Sequence, residues 1–104
     1  MKPALTPADA RVNLRDLAPQ VREALVLTPR GRVLAGPPEL AAPAKAVLRA
    51  SNAPALEAST DAGTVYAARS PRHAAIVVAD RGTLPAPMLF GLRRVLTALD
   101  GAQE

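Results

Sequence analysis

Ser70 and His73, three residues apart, are the nearest this chain comes to a nucleophile and a base. A serine hydroxyl becomes a nucleophile only when an imidazole takes its proton and a carboxylate holds that imidazole in the right tautomer. His73 is the single histidine, so no second imidazole can join it in a metal site. Nothing in the spacing of the nine acidic residues puts a carboxylate behind it, and a histidine leaving a turn is expected to be solvated. The chain has no cysteine, which removes disulfides, thiolate metal sites and cysteine nucleophiles together. Gly31, Gly36, Gly63 and Gly82 stand singly as turn residues, outside any G-x-G-x-x-G or G-x-x-x-x-G-K-[ST] pattern, and no D-x-D-x-D loop is present to hold calcium. These residues predict no catalytic group, no metal and no cofactor. Function then lies in binding other proteins.

A formal net charge of +4 raises the question of nucleic acid. The arginines run from Arg11 to Arg94 and come close together only as Arg30/Arg32, Arg69/Arg72 and Arg93/Arg94. The aromatic residues are Tyr66 and Phe90, too few to interleave with these cations and stack bases. Nucleic acid is therefore not the expected partner. Met1 to Pro7 contains no apolar stretch of signal-peptide type, and the longest apolar run, Ala74 to Ala79, is far short of a membrane span. The expectation is a soluble, cytoplasmic protein with no membrane partner.

The 104 residues fit one domain, 1–104. Hydrophobic residues make up 49% but aromatics only 2%, so the core must be built from Leu, Val, Ile and Ala, which bury less area per residue than rings. A small domain with such a core has a thin stability margin, which self-association would relieve.

Thr6-Pro7-Ala8-Asp9 reads as a helix start, with Thr6 as N-cap, Pro7 at the first helical position and Asp9 facing the positive end of the dipole. Ala10, Leu14, Leu17 and Val21 recur at helical spacing, but Pro19 ends the helix, so Val21 belongs to the connection. Ala24–Leu27 reads as a covered central strand, Thr28-Pro29-Arg30-Gly31 as a turn with a left-handed glycine, and Arg32–Ala35 as the returning edge strand. Between Glu39 and Ser51, Leu40, Ala44, Val47 and Leu48 share one helical face, Ala42, Ala46 and Ala50 lie on the opposite flank, and Pro43 must fall in the first turn.

Leu56, Ala58 and Thr60 alternate with Glu57 and Ser59 in a half-exposed strand. After an Asp61-Ala62-Gly63 turn, Thr64–Arg69 forms the next strand, and His73–Ala79 the most apolar one. Met88, Leu89, Leu92, Val95, Leu96 and Leu99 stripe a last helix, begun around Pro85 and Pro87 and stopped by Gly101. The order is α-β-β-α-β-β-β-α. Placing the two most apolar strands at the centre gives an α+β fold with a five-stranded antiparallel sheet ordered 2-1-5-4-3, packed with two or three helices on one or both faces.

This order, with the segment from Val21 to Gly36, resembles the roadblock (dynein light chain) family, whose opening helix is followed by a hairpin in which a glycine precedes an apolar return strand. Gly31, Val33, Leu34 and Ala35 match that return. Thr64–Ala67 and Ala74–Val78 stand at its fourth and fifth strands, and Pro87–Leu96 at its last helix. Longin and profilin-like domains share much of the pattern. Pro43 in a short middle helix, and Pro29-Arg30 where the family often has an acidic turn residue, depart from it.

The resemblance implies a homodimer joined through the middle helix and third strand into one continuous sheet. Ala42, Ala46 and Ala50 would let paired helices lie close, and Leu56, Ala58 and Thr60 would belong to the strand that pairs with its symmetry mate. Bacterial relatives regulate or scaffold small Ras-like GTPases without contributing chemistry, so such a GTPase is the implied partner. A structural subunit or small sensory domain of another complex, and a basic nucleic-acid binder, are the alternatives.

Overall fold

The computed structural model describes residues 5–61 and 63–102, so Ala62 of the expected turn and the first four residues lie outside it. The elements are α1 (Pro7–Arg15), β1 (Val21–Leu27), β2 (Val33–Ala35), a short 3-10 turn (Pro38–Leu40), α2 (Ala41–Ala50), β3 (Ala55–Thr60), β4 (Gly63–Arg69), β5 (Ala74–Ala79) and α3 (Pro85–Ala102). All five strands form one antiparallel sheet in the order β2-β1-β5-β4-β3. The expected fold class and strand order are both found.

Local chemistry fixes the elements. Thr6 Oγ1 accepts from the Asp9 amide at 3.1 Å, and Asp9 Oδ2 accepts from the Thr6 amide at 3.4 Å, a reciprocal cap on α1. The helix ends at Arg15, earlier than Leu17 at helical spacing implied. Ala18 precedes Pro19 and is steered away from helical backbone, and the Leu17 amide closes onto the Leu14 carbonyl. In the first hairpin Gly31 takes φ +95°, and its amide donates to the Thr28 carbonyl at 2.9 Å. Pro43 falls in the first turn of α2, where its missing N–H breaks no bond. Gly101 does not stop α3, which runs on to Ala102.

The sheet separates two cores. Under α1 and α3 lie Ala10, Leu14, Val26, Tyr66, Val77, Met88, Leu92, Leu96 and Leu99. Under α2 lie Leu25, Leu27, Ala44, Leu48, Val65 and Ile76. The near-continuous burial of β4 and β5 follows from this two-sided cover, as does their lack of apolar–polar alternation. Tyr66 is fully buried, and its hydroxyl meets Thr83 Oγ1 at 2.7 Å, which satisfies the only polar atom of the largest core side chain.

β1 begins at Val21, three residues before the apolar run that announced it, because β5 extends far enough to pair Ala79 with Val21. Its outer side is only briefly paired, since β2 meets it at Val26 and Leu27 alone. Beyond that pairing the Arg11 guanidinium takes over, donating to the Ala24 carbonyl at 3.0 Å and to the Glu23 carboxylate. Burial raises the Glu23 pKa, but the Ala24 amide, the Arg11 ion pair and the charge of Arg15 outweigh it, so the carboxyl is held below its ordinary value.

A depressed pKa means that the stabilisation is complete above the unfolded carboxylate range and disappears as pH falls through the folded value. Glu23→Gln is expected to cost under about 1 kcal/mol at neutral pH, because the pair is partly solvated. The urea midpoints of variant and parent should then converge as pH is lowered from neutral through the depressed folded value of the carboxyl. An equal gap at both ends of that range would remove the ion pair from the account.

Candidate functional site

The loop between β4 and β5 brings Ser70 and His73 against Asp100 of α3. Ser70 Oγ donates to Asp100 Oδ1 at 2.9 Å, and His73 Nδ1 lies 2.6 Å from the same oxygen. The His73 amide donates to Ser70 Oγ at 3.1 Å, and the Ser70 amide to the His73 carbonyl at 2.8 Å. A carboxylate does stand behind His73, supplied by α3 from 27 residues away. The histidine is only 5% exposed, which corrects the expectation that it is solvated.

The three side chains do not form a relay. A nucleophilic arrangement needs serine on imidazole and imidazole on carboxylate in series, whereas here hydroxyl and imidazole converge on one carboxylate oxygen. Their geometry is that of a clamp between the β4–β5 turn and the C-terminal end of α3. Among the described residues no group of three or more His, Asp or Glu side chains could hold a metal ion.

The other candidate surface comprises α2 and β3. Ala44 and Leu48 are buried against the sheet, while Ala42, Ala46 and Ala50 are exposed on the far flank of the helix and belong to neither core. Leu56, Ala58 and Thr60 are half-buried and alternate with exposed Glu57 and Ser59. Leu56 packs with the core beneath α2, so the helix and this residue share a sheet face. Thr60 is engaged in its own hairpin, its hydroxyl donating to the Gly63 carbonyl at 3.0 Å and its carbonyl accepting from Arg81 at 3.1 Å.

β3 has β4 on one side and, among the described residues, no strand on the other. Cover by α2 is incomplete, leaving an apolar slot of about 60 Å³ lined by Leu40, Pro43, Val47, Val65 and Val78. An edge strand beside a partly covered apolar face is a template for another chain. Among the described residues no helix is long and apolar enough to cross a membrane.

Solved structures match this arrangement well in shape and distantly in sequence. A Roadblock/LC7 domain from Streptomyces avermitilis superposes with a TM-score of 0.76, covering 94% of this chain and 98% of its own, at 13% identity. The gliding protein MglB from Thermus thermophilus gives 0.70 over 98% and 97% of the two chains at 18% identity. The fold is the roadblock/LC7 fold. A further MglB structure, with tetrameric arrangement, gives 0.69 over 98% and 96% at 19% identity. No family model matches the sequence, and no curated protein matches it. The roadblock/LC7 likeness therefore resides in element order, strand order and coverage of nearly the whole chain.

Sequence reasoning missed Asp100 as the partner of His73, and it missed Arg11 as the cap on the edge of β1. No short-range signal marks either pairing, since both join elements that only the fold brings together. Phe90 did carry a signal, because it falls outside the apolar stripe of its helix.

Proposed function

We propose that residues 1–104 form a single roadblock-like domain that works in the cytoplasm as a homodimeric, non-catalytic regulator or scaffold of a small Ras-like GTPase. The observation that supports it best is the strandless outer side of β3 beside the incompletely covered face under α2. A second copy placed there would extend the sheet through β3 and cover the slot with its own α2. Ala42, Ala46 and Ala50 would then permit close helix approach, and Leu56, Ala58 and Thr60 would line the joined strands. The GTPase follows from the resemblance to a family whose bacterial members regulate such proteins, and the convergence of Ser70 and His73 on one oxygen favours a role without catalysis.

Sedimentation at micromolar concentration is expected to return a dimer. Ala46→Glu, an exposed change in a single chain, should weaken the dimer at least about tenfold by placing carboxylates across a tight apolar contact. A strict monomer at that concentration would remove the dimer. The GTPase is tested by adding the domain to a small GTPase encoded beside it and measuring complex formation and nucleotide turnover. An effect on neither would leave a structural subunit of another complex as the reading.

A further inference from the structure

On the sheet face opposite α2, an open groove of about 780 Å³ runs along the outer side of α3 toward the start of β3. Ala55, Leu89 and Ala98 give it an apolar floor, and Phe90, Arg93 and Arg94 form its rim. Arg93 also walls a second depression, shared with Arg69 and Pro71, so the surface continues along α3. Phe90 is 64% exposed, an unusual position for a large ring in a chain so poor in aromatics. The Arg94 guanidinium lies 5.8 Å from the centre of that ring.

Among the described residues no carboxylate lines either depression. The ion pairs of the described residues join Arg11 to Glu23, Arg22 to Asp80 and His73 to Asp100, leaving Arg93 and Arg94 without acidic partners. Asp100, on the same helix, is committed to Ser70 and His73. Arg69 borders only the second depression, where its Nη2 donates to the Ser51 carbonyl at 2.6 Å and its buried Nε has no hydrogen-bond partner among the described residues. An apolar floor under an uncompensated cationic rim has a definite complement: apolar side chains flanked by carboxylates.

We propose that this groove binds an acidic amphipathic segment of a partner protein, with apolar side chains over Leu89 and Phe90 and carboxylates on Arg93 and Arg94. The site needs neither α2 nor the outer side of β3, so it is separate from the surface assigned to self-association. A second copy of this chain, itself at net charge +4, is a poor electrostatic complement. Single-stranded nucleic acid would find one ring to stack on, since Tyr66 is fully buried.

The test uses a dye-labelled helical peptide patterned with leucine on one face and glutamate on the other, titrated with the full chain and followed by anisotropy. Saturable binding is expected, weakened about tenfold by Phe90→Ala and further by Arg93→Glu with Arg94→Glu, and diminishing with salt. Leu84→Ala removes an equally exposed apolar side chain outside the groove and should leave binding unchanged. All these positions are exposed, and unaltered thermal melts would separate lost binding from lost folding. The proposal is overturned if a lysine-for-glutamate peptide binds equally well, or if the groove variants bind the acidic peptide as tightly as the parent. It is equally overturned if labelled oligo-dT or phosphatidylglycerol vesicles bind more tightly than the peptide and lose that binding in the same variants.

Discussion

Gly63→Ala is expected to lower the unfolding free energy by about 3–5 kcal/mol, far more than one added methyl group ordinarily costs. Gly63 opens β4 with φ +137°, a conformation in which an L side chain is strained by about 1–3 kcal/mol. A Cβ there would also stand 2.3 Å from the Ala79 carbonyl oxygen and 2.8 Å from the Arg22 guanidinium. Arg22 can swing away, because its side chain is half exposed. The Ala79 oxygen cannot, because Ala79 is held between Val21 of β1 and Thr64 of β4 at the end of the central strand. Relief would have to come from unpairing one of those strands.

Gly82→Ala separates the two contributions. Gly82 has φ +90°, but a Cβ there would meet none of the described residues within 4 Å, so only the backbone strain of about 1–2 kcal/mol should remain. Urea denaturation of both variants measures the difference. If Gly63→Ala came within about 1 kcal/mol of Gly82→Ala, the close approach of Ala79 would have no energetic weight.

The two glycines also show how far the sequence could be read. Both stand where a turn is due, and turn chemistry alone makes them equivalent. Their difference is tertiary: one faces open solvent and the other a carbonyl of a strand adjacent only in the sheet. The strand order was legible for a different reason. Ala24–Leu27 and Ala74–Ala79 are the two most apolar strands, which places both in the middle of the sheet. The half-polar Leu56–Thr60 fits only an edge, and edge is where it lies. The Thr6 cap, the Gly31 turn and the first-turn position of Pro43 were readable because their causes are local, whereas Gly101 does not stop α3.

The candidate site divides along the same line. The far flank of α2 is visible as a run of small residues at helical spacing, and the structure exposes all three alanines. The groove beside α3 could not be read, because its apolar floor joins Ala55 of β3 to Leu89 and Ala98 of a helix more than thirty residues later. Phe90 alone hinted at it, as a large ring on the polar side of an otherwise regular stripe. The Ser70–His73–Asp100 clamp was invisible for a further reason. An aspartate in the last turn of a helix is locally unfavourable, so local rules argue against giving it a structural role.

Asp100 lies near the negative end of the α3 dipole, which costs it up to about 1 kcal/mol, and the contacts it makes must outweigh that. Asp100→Ala is expected to destabilise the fold by about 3 kcal/mol, because it leaves the buried His73 imidazole without its hydrogen-bond partner. Ser70 can absorb part of the loss, since its hydroxyl already lies 3.1 Å from the His73 carbonyl. His73 cannot, because among the described residues Asp100 is the one hydrogen-bond partner of its Nδ1, and its side chain is 6% exposed. Asp100→Asn retains an oxygen for the imidazole N–H and should recover about half of the loss.

Asp16→Ala, at an exposed carboxylate just beyond α1, should stay within about 0.5 kcal/mol of the parent. A double-mutant cycle of Asp100→Ala with Ser70→Ala should return a coupling of about 1 kcal/mol, because the two residues share one network. Amide exchange supplies the spatial readout. The clamp ties the end of α3 to the β4–β5 turn, so its removal should speed exchange at Leu96 and Leu99 while leaving Leu14 in α1 little changed. If Asp100→Ala behaves like Asp16→Ala, the clamp contributes nothing to stability and the burial of His73 rests on apolar packing alone.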